Sequence, residues 1–185
     1  MSVVLNINGL AFDFDDRWVA LKWDDHPAWR KSKLSGYERT KAIDILALHD
    51  DDHLWLIEAG DVRGEERRIT HKNAQRDRDE PIHVEFASKV RDTVAASVWA
   101  QGRIPEAADI VRYLKRAWRG EAGKVHVVLW LEGVDEAIAM PLEGEVGKRL
   151  AWLNPKVRVT NSNLSARHPK AGIDGLTVRT VGRSA

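Results

Sequence analysis

Apolar residues recur along this chain with two periods, and the switches between them lay out the elements. VVLNI and LAFDF alternate on either side of Asn8-Gly9, a dipeptide that accepts the positive φ angles of a two-residue turn, so a β-hairpin is expected there. RWVALKW continues in strand period, with Val19, Leu21 and Trp23 alternating. The polar stretch Asp24 to Arg39 holds a short helix between Pro27 and Leu34. KAIDILALH and HLWLIEAG form a second hairpin. VEFASKVRDTVAASVWAQG changes to helical spacing, with Ala87, Val90, Val94 and Val98 on one face, Lys89, Arg91 and Asp92 on the polar side, and Gly102 at its end. PEAADIVRYLKRAWRG is a second helix, opening with Pro105 and closing with Lys115, Arg116 and Arg119 in the order that suits the helix dipole. KVHVVLWLEG, apolar on both faces from Val125 to Leu131, predicts a central strand. PLEGEVGKRLAWLNP predicts a short helix burying Val146, Leu150 and Leu153. VRVTNSN and LTVRTV read as final strands, separated by a polar loop with His168 and Pro169. Residues 63–80 mix both charges with no apolar period and read as an exposed loop.

The second hairpin carries the chemistry. With its turn centred on Asp51, Leu46 faces Leu56, Leu48 faces Leu54, and Asp44 faces Glu58; on the other side Ile43 meets Ala59, Ile45 meets Ile57 and Ala47 meets Trp55. Both faces are mostly apolar, as in strands covered on two sides. Opposed residues of an antiparallel pair have Cβ atoms about 4.5–5.5 Å apart, where like charges repel. Two carboxylates so placed are costly unless a positive charge lies between them. Either each is solvated or paired with Lys41 or Arg63, or both share a divalent cation. Mg²⁺ or Mn²⁺ fits, since such ions take carboxylate and carbonyl oxygens plus water at ~2.1 Å. Glu38 is a candidate for a further ligand.

Composition narrows the setting. The 185 residues suit one domain with a substantial core, with N-terminal strands and a short helix (1–40), the acid-bearing core (41–132), and a C-terminal helix and strands (133–185). With 29 basic and 28 acidic residues, the net charge of +1 gives no blanket attraction to nucleic acid, so a basic surface has to be local. The absence of cysteine excludes disulfides, thiolate zinc sites and cysteine nucleophiles. No signal peptide and no apolar run near ~20 residues is visible, so a cytoplasmic location without membrane contact is expected. There is also no phosphate-cradling P-loop and no serine-nucleophile elbow.

An Asp on one strand, a short hairpin, an acid two residues before a lysine position, then an amphipathic helix and an apolar strand resembles the PD-(D/E)XK, or restriction-endonuclease-like, nuclease superfamily. IEAGDVRG is similar to the IEVKDFRG-type stretch of an uncharacterised bacterial group within it, and Lys89-Val90-Arg91-Asp92-Thr93 matches the KVRDT stretch of that group's next helix. The likeness spans roughly residues 40–132. It implies an α/β fold with a central mixed sheet flanked by helices. It also implies a Mg²⁺ or Mn²⁺ held by Asp44, Glu58 and the Ala59 backbone carbonyl, and metal-dependent cleavage of DNA phosphodiester bonds. The departure is Gly60, which stands where the family has the lysine that orients water and stabilises phosphate charge. Lys89 is the candidate replacement. The other readings of Gly60 are a degenerate relative that binds without cutting, and a substitution that disables the chain.

Arg63, Arg67, Arg68, Lys72 and Arg91 are the candidate phosphate contacts, Arg76 and Arg78 extending the same basic stretch, with DNA the expected partner and RNA the second choice. A non-catalytic nucleic-acid-binding or scaffold module of a bacterial defence or DNA-processing complex is the alternative, with protein partners of such a system and a homodimer as further expectations. His49 and His53 bracket the hairpin turn and read as surface. Trp55, Trp99 and Trp130 read as core, while Trp23 and Trp29 divide between core and a base-stacking surface.

Overall fold

A computed structural model describes residues 2–37, 40–50, 53–62, 80–100, 103–104, 125–167 and 172–181. The chain is an α/β protein with a five-strand mixed sheet, a three-strand antiparallel sheet and four helices among the described residues.

The first hairpin follows from its turn residues. Asn8 (φ +50°) and Gly9 (φ +80°) are both left-handed, the combination a two-residue hairpin loop requires. They join β1 (Val3–Ile7) to β2 (Leu10–Phe14), with Ile7 opposite Leu10. β8 (Leu176–Thr180) pairs with β2 and completes the small sheet, in the order β1-β2-β8. The final strand thus builds a second sheet beyond the single central one expected from the sequence.

The large sheet runs β3 (Trp18–Lys22), β4 (Ile45–His49), β5 (His53–Asp61), β6 (Val125–Glu132), β7 (Lys156–Thr160). β3, β4 and β5 are antiparallel neighbours, and β5, β6 and β7 are parallel. The hairpin register is the one expected, with Ile45 opposite Ile57, Leu46 opposite Leu56 and Leu48 opposite Leu54. Leu46, Leu48, Leu54, Leu56, Val127 and Leu129 cover one face, beneath helices. Ile45, Ala47, Trp55, Ile57, Val128 and Trp130 form the other, against Phe12 and Phe14 of the small sheet. Burial on both sides explains the apolar runs along the middles of β4, β5 and β6.

The helices are α1 (Pro27–Arg30), α2 (Ile82–Ala100), α3 (Glu136–Arg149) and α4 (Ser162–Arg167), with a 3₁₀ turn at Lys33–Gly36. Four local expectations are corrected. In β3 it is Trp18 that is buried, while Val19 is 42% exposed, because this edge strand is covered mainly on the side of the small sheet. α2 buries Phe86, Val90, Thr93, Ser97 and Ala100, and Val98 is 54% exposed. Steps of four residues drift around a 3.6-residue helix, so a Val90–Val94–Val98 row leaves the core. α3 starts at Glu136, ahead of Pro141, because the Asp135 side chain accepts the Ile138 N–H at 3.0 Å and caps it. β7 stops at Thr160: Asn161 is buried, its Nδ2 donates to the Leu131 carbonyl (3.2 Å), its Oδ1 accepts the Leu164 N–H (2.9 Å), and α4 begins. No described helix is long and apolar enough to cross a membrane.

Candidate active site

β5 is longer than β4. Its last residues, through Asp61, keep β6 on one side, but β4 begins only at Ile45. The backbone of Ala59 is left facing the missing strand, and side chains take over. Asp44 Oδ2 accepts the Ala59 N–H at 2.8 Å, and Asn8 Nδ2 donates to the Ala59 carbonyl at 2.8 Å. The Asp44 carbonyl accepts the Trp23 N–H at 2.8 Å, tying the same residue to the segment after β3. The approach to β4 is held by α2, where Asp92 accepts the Lys41 N–H (3.2 Å) and Thr93 Oγ1 accepts the Ile43 N–H (3.1 Å). KVRDT is therefore the clamp that positions Asp44. Asp92 is 5% exposed rather than on the solvated side of the helix, because its carboxylate serves this backbone.

Extending the hairpin register by one pair sets Asp44 opposite Glu58. Glu58 lies on the helix face with Leu54 and Leu56, and Lys89 reaches it from α2: Lys89 Nζ donates to Glu58 Oε1, with the two side chains 18% and 12% exposed. Glu58 Oε2 is buried and has no hydrogen-bond partner among the described residues. Lys89 Nζ is also 3.9 Å from Glu85 Oε1, which lies 2.8 Å from Lys41 Nζ. Glu58, Gly60, Val62, Ile82, Glu85, Phe86, Lys89 and Leu131 line a cleft of about 190 Å³ at the carboxyl end of β5. Carboxyl ends of parallel strands are where open α/β sheets receive ligands.

The electrostatics follow from this packing. Burial, with Asp44 as an added negative neighbour, pushes Glu58 up to about 8, more than the Lys89 ammonium pulls it back. Burial also raises Asp44, against the Ala59 N–H and Lys89, which favour its charged form; Asp24 adds a small upward push. Burial works against the charge on Lys89, yet Glu58, Asp44 and Glu85 together raise it.

The residues suit a hard cation. Two carboxylates face one end of the hairpin, and one buried oxygen lacks a partner. No group of three His, Cys, Asp or Glu side chains able to hold a metal exists among the described residues. Two carboxylates with the remaining positions left to water are what Mg²⁺ accepts, since it keeps several waters and takes one or two carboxylates. The Ala59 carbonyl, the third ligand the resemblance implies, already accepts Asn8 Nδ2.

Among the other candidates, Arg91 pairs with its neighbour Asp92 at 2.8 Å. Lys41, considered as a partner for the acids, pairs with Glu85. Glu38, Arg63, Arg67, Arg68, Lys72, Arg76, Arg78 and the helix expected from Pro105 to Gly120 lie outside the described residues. Val62, the last described residue before the basic stretch, lines the cleft. Trp23 is fully buried and Trp29 is 7% exposed, so neither offers a stacking surface for bases. At the far end of the sheet His126 joins the hairpin histidines: His53 Nδ1 lies 3.1 Å from His126 Nε2, and the His126 ring stacks on Trp55. The sequence reading missed Glu85 and Asp24. The Glu85–Lys89 spacing of four on a helix was a usable signal; for Asp24, set beside Asp44 by the Trp23 backbone bond, there was none.

The chain matches no family model, no curated protein and no solved structure.

Proposed function

We propose that this chain is a metal-dependent nuclease-like protein of the PD-(D/E)XK type, with a restriction-endonuclease-like core, acting on DNA phosphodiester bonds through Asp44, Glu58 and Lys89 with Mg²⁺ or Mn²⁺. The contact between Lys89 and Glu58 carries the reading: a lysine is delivered to the acid pair from α2, although the strand position that should supply it is Gly60. A divalent cation held by Asp44 and Glu58 would supply an activated water and charge neutralisation at phosphorus. Asp44 would place one oxygen toward cation and phosphate while the other stays on the Ala59 N–H. Glu58 would contribute its unpartnered Oε2. Lys89 would hold a positive charge at the cleft, where a phosphate oxygen enters. In sequence the basic stretch Arg63 to Arg78 follows Val62, a cleft-lining residue, and its charge suits a role in steering a phosphate backbone.

Gly60 favours a second reading, a non-catalytic nucleic-acid-binding or scaffold module. The two separate in one experiment. Calorimetric titration with Mn²⁺ and a nicking assay on plasmid DNA are run on the wild type, Asp44→Asn and Glu58→Gln. Binding and slow nicking that both substitutions abolish support the nuclease. DNA binding that survives Asp44→Asn, with no Mn²⁺ heat in any variant, supports the module.

A further inference from the structure

We infer that Lys89 is an internal stand-in for the cation: its ammonium occupies Glu58 in the metal-free protein and passes to Glu85, one helical turn away, when a divalent ion takes the acid pair. This rests on the acid-pair reading above and adds to it a built-in exchange. Lys89 Nζ bonds Glu58 Oε1 and is 3.9 Å from Glu85 Oε1, the outer limit of an ion pair, so a small rotation of the lysine stem completes the transfer. Glu85 precedes Lys89 by four residues, the favourable orientation for such a pair on a helix. Glu85 is also held by Lys41 at 2.8 Å, so the acceptor stays at the cleft wall. A divalent ion entering on Glu58 Oε2 with the Lys89 ammonium still on Oε1 would set two cations at close range in a poorly solvated cleft, where they repel, so the bound ion favours the arrangement with Lys89 moved to Glu85. Without Glu85 the displaced lysine would be left half-buried and unpaired, a costly state. The exchange keeps Lys89 beside the cleft in both states, as a lock before the metal arrives and as a phosphate-facing charge afterwards.

A double-mutant cycle reads this directly, with Mn²⁺ alone as the probe and calorimetric affinity as the readout. Lys89→Gln and Lys89→Met should each bind Mn²⁺ about tenfold more tightly than wild type, as expected when a competing internal cation is removed. Glu85→Gln should weaken binding about fivefold in the wild-type background and leave it unchanged in the Lys89→Gln background. Equal weakening in both backgrounds would mean that Glu85 acts only as a nearby negative charge. That result overturns the exchange while leaving the acid-pair reading intact, provided Asp44→Asn still abolishes binding. No Mn²⁺ binding by wild type or by either Lys89 variant would remove the acid-pair reading itself, and the exchange with it.

Discussion

Asp44 Oδ2 accepts the Ala59 N–H at 2.8 Å, taking the place of the carbonyl that β4 would provide had it begun earlier. One carboxylate therefore has two duties. It closes the edge of β5 and it faces Glu58. Substitutions can split them. Asparagine keeps an oxygen acceptor for Ala59, so Asp44→Asn should unfold near the wild-type urea midpoint while losing Mn²⁺ binding. Asp44→Ala and Asp44→Leu leave a buried N–H without a partner and should cost about 1–3 kcal/mol. Equal stability of all four proteins in urea would show that the Ala59 bond contributes nothing.

Thr93 acts on the same segment from the helix. Its Oγ1 accepts the Ile43 N–H at 3.1 Å in a fully buried setting. Valine preserves the volume and removes the acceptor, so Thr93→Val should destabilise the fold by about 1–2 kcal/mol. It should also weaken Mn²⁺ binding, because Asp44 follows Ile43 directly. Unchanged affinity in a destabilised variant would show that the clamp serves the fold alone.

Gly60 shares the face of Glu58, two residues along β5. A Cβ built there meets Leu131 Cδ2 at 3.1 Å, so the tip of Leu131 has to give way. Gly60→Lys should thus cost about 1–2 kcal/mol in stability. It should raise Mn²⁺-dependent nicking on the order of tenfold, less than a fully absent proton-transfer group is worth because Lys89 already supplies a cation. A gel assay that shows no gain, from a variant still folded by circular dichroism, would count against a latent nuclease site.

Two groups give the stability a pH dependence of opposite sign. Glu58 is raised from an ordinary 4.5 to about 8, so the unfolded chain releases its proton first. The stability this group contributes is fully present below about 4.5 and is lost as pH rises through about 8. His126 is lowered from 6.5 to about 4 by burial, with His53, Lys156, Arg158 and His49 as positive or protonatable neighbours. Its contribution is present above 6.5 and is lost as pH falls through about 4. Denaturant midpoints measured from pH 4 to 9 should therefore fall at both ends. Glu58→Gln should flatten the alkaline limb and His126→Asn the acid limb; a limb unchanged by its substitution would show that another group sets it.

The two hairpins were legible because their information is local. Asn8-Gly9 dictates a turn, and alternation with period two around residue 51 fixes which side chains oppose one another, so the pattern alone sets Asp44 against Glu58. The partner of Glu58 was harder. Lys89 lies far along the chain, and its helix matched by residue type, but the row of valines beyond Val90 pointed to a side that is not buried. The drift of Val94 and Val98 away from the core, and the burial of Asp92, were decided by the backbone that α2 has to clamp.

The amino-acid sequence by itself determined the elements that carry a short-range period, the register of the acid-bearing hairpin and the α/β class. Tertiary structure alone decided that the last strand would join the first two in a separate sheet, and that β5 would outrun β4. Asp44, Asn8 and Lys89 therefore meet the end of β5 at Ala59 and Glu58. The physical reason is that pattern records which side of an element is apolar. The satisfaction of an edge backbone or a buried charge depends on groups distant in sequence, which meet only once the layers have packed.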